Sequence, residues 1–182
     1  ARDGKPLALC FLDLNRFKEV NDSMGHHHGD RLLVQVADRL RKRLRRSDTV
    51  ARLGGDEFAI ILRDCNSENA EIVSEKLIAD VEEPVEIDGQ HFYVSGSFGI
   101  AMYPDHAVDA QSLVQRADMA MYSAKRNEQP VEFFSPAMEA GNREKLVLAN
   151  DLREALDNGQ LDVHYQPRVN FATQSIVGIE AL

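Results

Sequence analysis

Hydrophobic residues follow two spacings along the chain. Unbroken apolar runs such as "LALCFL" at residues 7–12 predict buried strands, and apolar residues three or four positions apart in residues 29–46 predict an amphipathic helix. In chain order the pattern first predicts a strand ending near residue 14, the helix at 29–46, and strands at 49–53 and 57–62. It then predicts a helix at 66–82, a short and a longer strand within 85–103, a helix at about 109–126 and a strand ending near 134. Strands interleaved with helices indicate an α/β fold (an α+β sandwich) with a central sheet covered by helices.

The pattern restarts after residue 134. A helix over about 139–157 is followed by two strand-like pieces, "LDVHYQPRV" and "SIVGIEAL", for which we expect no pairing partner in the chain. We therefore expect one domain over residues 1–134, followed by a connector helix and the first strands of a truncated second domain over residues 135–182.

Charge and cysteine content limit the partners. The net charge of -9 argues against broad binding to nucleic acid or to an anionic membrane surface, so we expect no nucleic-acid partner and no direct membrane contact by this piece. Cys10 and Cys65 stand alone, without metal-ligand spacing, which predicts free thiols. We expect a cytoplasmic location, which includes the cytoplasmic part of a membrane-anchored protein.

Acidic residues follow a buried strand and occupy a hairpin tip. Asp13 lies at the carboxyl end of the first strand, and Asp56 and Glu57 lie within "RLGGDEFAII", between two strands. Asp56 and Glu57 alone could be a solvated turn. With Asp13, carboxylates from distant parts of the sequence can meet on one hard cation, and oxygen ligands favour Mg²⁺ (or Mn²⁺) over zinc.

Other residues suit a nucleotide. Lys18 and Lys125 can each offer a positive charge to a phosphate; the alternative for each is a solvated surface lysine. Asn21 and Asp30 carry the amide and the carboxylate needed to read a guanine edge. The alternative for these two is turn chemistry and, for Asp30, capping of the basic helix that it opens.

Four motifs in order carry a family resemblance. The segments "FLDLNRFKEVND", "GHHHGD", "RLGGDEF" and "ADMAMYSAK" make residues 1–134 similar to the GGDEF domain of diguanylate cyclases, whose sheet is polymerase-palm-like. The end of the chain, "LREALDNGQLDVHYQPRV" through "IVGIEAL", resembles the start of an EAL cyclic-di-GMP phosphodiesterase domain. In this truncated form the chain is not expected to be a phosphodiesterase.

The resemblance implies an activity and a set of roles. In the family, two GTP molecules held by a homodimer condense to cyclic di-GMP with release of pyrophosphate. Carried onto this chain, it implies metal ligands at Asp13, Asp56 and the Leu14 carbonyl, nucleophile assistance by Glu57, guanine contacts by Asn21 and Asp30, phosphate contacts by Lys18 and Lys125, and close backbone approach to GTP at Gly54 and Gly55.

A second site is implied after the basic helix. Arg45 and Asp48 form an RxxD pattern that resembles the family's inhibitory product site for cyclic di-GMP. The alternative is a solvated helix end whose basic side chains favour the helix dipole.

The chain departs from the family pattern at several places. Asn15 replaces a second Asp found in many members, the "GRN" signature after Lys125 is missing, and the usual N-terminal helix is absent. The leading hypothesis is a diguanylate cyclase module. Its rival is a catalytically degenerate module that binds GTP or cyclic di-GMP and regulates an attached EAL domain, and a third hypothesis is a scaffold for dimerisation.

Overall fold

The computed structural model describes residues 4–182, apart from the side chains of residues 142, 143, 145 and 146. The strands are β1 (Leu7–Asn15), β2 (Thr49–Gly54), β3 (Glu57–Arg63), β4 (Val85–Ile87), β5 (Gln90–Phe92), β6 (Ser95–Tyr103), β7 (Val131–Phe133), β8 (Tyr165–Asn170) and β9 (Ser175–Ala181). The helices are α1 (Phe17–Met24), α2 (His26–Arg43), α3 (Ser67–Glu82), α4 (Ala110–Arg126) and α5 (Pro136–Asp157). The chain divides into two compact units, the first ending at Glu139 and the second covering Ala140–Leu182.

A five-stranded sheet in the order β2-β3-β1-β6-β7 forms the centre of the first unit. β1 is antiparallel to both neighbours, with Asp13 opposite Glu57 of β3 and opposite Ser97 of β6, while β7 runs parallel to β6. The residues of β1 between its two ends are all buried. The unbroken apolar run at residues 7–12 therefore predicts this central strand correctly, because both of its faces are covered.

Two apolar layers cover the sheet, since successive side chains of a strand point to opposite faces. One layer contains Leu12 of β1, Leu40 of α2 and Leu77 of α3. The other contains Phe11 of β1 and Ala117 of α4. Helices α2 and α3 thus pack on one face and α4 on the other, which confirms the predicted α/β class.

The approach of α4 to the sheet depends on a glycine. A Cβ at Gly99 of β6 would overlap the backbone nitrogen of Met121 and the carbonyl oxygen of Ala117. Only a residue without a side chain lets helix backbone pack this closely on a strand. Lys125 follows one helical turn after Met121, so this packing also sets its position.

The structure differs from the sequence-based prediction at several elements. Helix α1 was not predicted because only Phe17 and Val20 of its eight residues join the core, too few for a helical period. Helix α2 begins at His26 after Gly25, so Asp30 lies inside the helix and the N-capping alternative is wrong. The long strand predicted within residues 85–103 is interrupted, because β5 pairs with β4 in a separate two-stranded sheet.

In the second unit, β8 and β9 pair antiparallel with each other, so the expectation that these pieces lack a partner is wrong. Among the helices of the described residues, none combines the length and the apolar character needed to cross a membrane.

Candidate functional site

The carboxylate of Asp13 is held by a lysine from the far end of the first unit. Asp13 is 6% exposed although it is charged, and its Oδ1 accepts a hydrogen bond from Lys125 Nζ at 2.6 Å. A carboxylate this buried is stabilised when a cation and a hydrogen bond accompany it. Lys125 lies in the last turn of α4, so the ion pair joins the end of β1 to the end of α4.

The hairpin tip lies beside this ion pair. The backbone N–H of Leu14 donates to the Asp56 carbonyl oxygen at 3.2 Å, which fixes the tip against the end of β1. Glu57 is directly opposite Asp13 in the strand pairing, so these two side chains lie on the same face of the sheet. The structure therefore brings Asp13, Asp56 and Glu57 to one end of adjacent strands, as the sequence predicted.

The two glycines of the tip have different backbone requirements. Gly55 has a φ of 51°, which favours glycine, whereas Gly54 lies outside that region, and a Cβ at either position would meet nothing within 4 Å. Arg52 Nε donates to the Gly55 carbonyl oxygen at 2.9 Å and braces the turn. Neither packing nor a positive φ explains the glycine at position 54, which is compatible with a ligand at this surface.

Lys18, Asn21 and Asp30 lie on the adjoining helices. Lys18 and Asn21 are three residues apart on α1 and share a face of that helix. A Cβ at Gly29 of α2 would overlap Asn21 Oδ1, so the amide lies against the residue that precedes Asp30. The structure therefore places Asn21 close to the part of α2 that carries Asp30.

A groove of about 550 Å³ opens beside Lys125. Its lining includes Asn15 and Arg16 at the end of β1, Ser97 on β6, and Lys125 and Gln129. Asn15 Nδ2 donates to Ser95 Oγ at 3.2 Å and to Ser97 Oγ at 3.1 Å. Sequence reasoning missed both serines; the small polar residues that open the apolar run "SGSFGIAMY" are the signal that could have identified them.

The end of α4 shows what replaces the missing "GRN" signature. Arg126 is the last helical residue and Glu128 follows with a φ of 54°, a conformation that favours glycine. Gln129 then donates its backbone N–H to the Ala124 carbonyl oxygen at 2.9 Å and lines the groove with Lys125. Glu128 and Gln129, rather than Arg126, are thus the residues that line this edge of the groove.

Arg45 and Asp48 have different environments. The Asp48 carboxylate accepts from the backbone N–H of Arg45 at 3.0 Å and from that of Arg63 at 3.2 Å, so it ties the loop after α2 to the end of β3. Arg45 is exposed. Asp48 therefore has a structural role in the loop, and the guanidinium of Arg45 is presented to solvent.

The oxygen donors at this edge of the sheet suit a hard cation. The candidate ligands are the carboxylates of Asp13 and Asp56 and the Leu14 carbonyl. Within residues 4–182 as described, no group of three or more His, Cys, Asp or Glu side chains is arranged to hold a metal ion. A site with few protein ligands fits Mg²⁺, which keeps several waters and takes other ligands from substrate phosphates.

Comparisons with known proteins place these features in a family. Residues 1–130 match the family model "Diguanylate cyclase, GGDEF domain". Over 182 residues the chain is 42% identical to the bifunctional diguanylate cyclase/cyclic di-GMP phosphodiesterase MucR of Pseudomonas aeruginosa, covering 100% of this chain and 27% of MucR. It is 38% identical over 182 residues to the cyclic di-GMP phosphodiesterase NbdA of the same organism, covering 98% of this chain and 23% of NbdA.

The crystal structure of the GGDEF domain of TpbB from Pseudomonas aeruginosa has a similar fold. Its TM-score is 0.71 at 42% identity, covering 74% of this chain and 88% of that one. The chain spans about a quarter of the length of MucR and NbdA. The predicted similarity to GGDEF domains is confirmed, while the similarity of residues 135–182 to an EAL domain stays a prediction. The chain belongs to the diguanylate cyclase GGDEF domain family.

Proposed function

We propose that the first unit is a diguanylate cyclase module that condenses two GTP molecules into cyclic di-GMP and releases pyrophosphate. The observation that carries the proposal is the Asp13–Lys125 ion pair, which lies beside the acidic hairpin tip and a groove of about 550 Å³. A triphosphate site needs acidic residues that can hold a cation, a lysine and an open groove, and this edge of the sheet has all three.

Asp13, Asp56 and the Leu14 carbonyl would hold Mg²⁺ or Mn²⁺, which when bound neutralises phosphate charge and favours displacement at phosphorus. Lys125 and Lys18 add positive charge to the phosphate groups. The tip at Gly54 and Gly55 leaves room for the nucleotide, because no protein atom lies near a Cβ at either position.

Asn21 and Asp30 would select guanine. An amide and a carboxylate can together donate to the guanine O6 and accept from its ring N–H and amino groups. Their support in the structure is the close packing of α1 on α2 at Gly29. Each chain would then hold one GTP through its base and its phosphates.

The chemistry requires a second GTP. The 3′-hydroxyl oxygen of one GTP forms a bond to the α-phosphorus of the other, the bond from that phosphorus to pyrophosphate breaks, and Glu57 receives or directs the hydroxyl proton. A second round closes the ring. Because each chain offers one set of these residues, we propose that a homodimer supplies both nucleotides. We propose that the module lies in the cytoplasm, where its substrate GTP is found.

We further propose that cyclic di-GMP inhibits the module at Arg45 and Asp48. The exposed guanidinium of Arg45 can bind a phosphate or a guanine edge.

We also propose that residues 135–182 are the connector helix and first strands of an EAL domain. This piece is not proposed to hydrolyse cyclic di-GMP.

The deciding experiment is chromatographic detection of cyclic di-GMP after the chain is incubated with GTP and Mg²⁺ at a concentration that permits dimers. Asp56→Ala should form no product while its thermal unfolding stays unchanged. Exposed Asp64→Ala, at the end of the same hairpin and away from the tip, is the matched control and should keep full activity. Product formation by Asp56→Ala would remove Asp56 from the site.

A regulatory module that binds GTP or cyclic di-GMP is the second candidate. It is favoured by the match over 98% of this chain to NbdA, which is named as a phosphodiesterase only, and by Gln129 at the edge of the groove. Its signature would be a thermal shift with GTP and Mg²⁺ but no product, because a ligand of the folded state raises apparent stability without any turnover. A scaffold would show neither.

A further inference from the structure

The amide of Asn15 is fixed by two serines on the neighbouring strand. Its Nδ2 donates to Ser95 Oγ and to Ser97 Oγ, and the Ser97 hydroxyl donates back to Asn15 Oδ1 at 3.3 Å. Ser97 is 2% exposed. Both polar atoms of the Asn15 side chain therefore have partners, and the side chain is held in one orientation.

These groups share a face of the sheet with Asp13. Asn15 is opposite Ser95, and Asp13 is opposite Ser97, in the pairing of β1 with β6. Two residues along a strand put Asn15 about 7 Å from Asp13. The Ser97 hydroxyl gives its hydrogen to Asn15, and Asp13 accepts from Lys125.

Asn15 and Lys125 line the same groove, so a charge at position 15 would act on the Lys125 ammonium. A carboxylate there would lie on the same face, within reach of the same ammonium, and would repel Asp13. It would also attract divalent cations and repel a triphosphate in the groove that Asn15 lines. The neutral amide satisfies the serines without adding any of these charges.

We propose that Asn15 is a positioning residue: its neutral amide, clamped by Ser95 and Ser97, keeps the Lys125 ammonium on Asp13 until a triphosphate takes it up. The inference rests on the proposed function, since it concerns the same cation and nucleotide. It assigns to Asn15 a role that acts through Lys125 and Asp13, without contact between Asn15 and the reacting atoms.

The test compares two substitutions in the full chain. Asn15→Asp adds a charge, and Asn15→Ser is the neutral control of similar polarity. Binding of Mn²⁺ to the nucleotide-free protein is measured by electron paramagnetic resonance, and binding of GTP without divalent metal is measured by calorimetry. For Asn15→Asp we expect Mn²⁺ affinity to rise about fivefold and metal-free GTP affinity to fall about fivefold. For Asn15→Ser both should stay within about twofold of the parent.

The inference is overturned if Asn15→Asp leaves both affinities unchanged, or if Asn15→Ser shifts them as much as Asn15→Asp does, because packing would then be the cause. If thermal unfolding shows that Asn15→Asp does not fold, Ser95→Asp places a carboxylate at the opposite position on the same face and is judged by the same values. A parent chain that binds neither Mn²⁺ nor GTP defeats the proposed function and this inference together. A parent that binds both, with no effect of the added charge, defeats this inference alone.

Discussion

Lys125 Nζ lies 2.6 Å from Asp13 Oδ1, so the ammonium of α4 contacts the carboxylate proposed to hold the cation. A metal cation bound by Asp13 would repel the Lys125 ammonium, because both positive groups would contact the same carboxylate. A triphosphate would give the ammonium another partner and free Asp13. Binding of cation and binding of nucleotide should therefore favour each other, and linkage requires that the effect be reciprocal.

Lys125→Met tests this exchange. Without nucleotide we expect the variant to bind Mn²⁺ at least about threefold more tightly than the parent, because a positive charge has left Asp13. GTP should bind more weakly, and its enhancement of Mn²⁺ affinity should shrink. Titration by electron paramagnetic resonance, with and without GTP, measures all three values. Weaker Mn²⁺ binding by the nucleotide-free variant would show that Lys125 does not compete with the cation.

Gly99→Ala should damage the fold. The new methyl group would overlap backbone atoms of α4 at Met121 and Ala117, which cannot move aside as a flexible side chain can. We expect a loss of about 3 kcal/mol or more in the free energy of unfolding, at the upper end of overpacking effects. Urea unfolding followed by circular dichroism gives the value. A loss below about 0.5 kcal/mol would mean that α4 packs less closely than described.

Gly54→Ala should separate activity from stability. A Cβ there meets no atom within 4 Å and Gly54 has no positive φ, so the free energy of unfolding should change by less than about 0.5 kcal/mol. If the triphosphate approaches the tip as proposed, cyclic di-GMP formation should fall about tenfold or more, equivalent to about 1.4 kcal/mol. Parallel urea unfolding and product assays decide the point. Full activity would place the nucleotide away from this backbone.

Arg45 and Asp48 should respond differently to truncation. Asp48→Ala leaves the backbone N–H groups of Arg45 and Arg63 without their acceptor, at a cost of about 1–3 kcal/mol in the free energy of unfolding. Arg45→Ala should leave stability within about 0.5 kcal/mol of the parent. It should also weaken inhibition by cyclic di-GMP without lowering the initial rate. An unchanged inhibition curve would reassign Arg45 to the solvated helix end.

The environment of His106 predicts that the protein loses stability in acid. Burial lowers the pKa of His106 below its ordinary 6.5; the Asp105 carboxylate opposes this shift, and the Arg116 guanidinium adds to it. Its Nδ1 accepts from the Met102 backbone N–H at 3.1 Å, which requires the neutral ring. The unfolded chain binds the proton more readily, so the stabilisation present above pH 6.5 is lost as the pH falls through the folded pKa.

The measurement is the midpoint of thermal unfolding between pH 7.5 and pH 5 for the parent and for His106→Asn. The variant should show a shallower decline over this range, because the titrating ring is gone. Equal slopes would exclude His106 as a source of the acid sensitivity.

The central elements were predictable from the sequence because their patterns are long and regular. β1 is buried on both faces, and α2 carries an apolar stripe over several turns, so each has an unambiguous period. The placement of Asp13 and Asp56 at one edge followed from the strand end and the hairpin tip. The resemblance supplied the roles, which stay predictions, while the fold brings Asp13, Asp56, Glu57 and Lys125 together.

The rest depends on contacts that no local pattern encodes. Helix α1 has one turn of core residues, and the break between β5 and β6 falls inside an apolar run. The Asn15–Ser97 clamp joins residues 82 positions apart, and its partners are small polar residues common on any strand. Only the strand pairing identifies these serines, so the side-chain partners at the site could not be predicted without the tertiary structure.

The separation of Asp13 from Lys125 along the chain has a consequence for biosynthesis. Their contact spans 112 residues and depends on a helix that packs on the assembled sheet. Contacts of such long range are formed late, since chain entropy opposes them until the intervening strands are paired. During translation Asp13 emerges from the ribosome long before its lysine partner. The nascent chain therefore carries the acidic half of the site without its counter-charge until α4 has been synthesised.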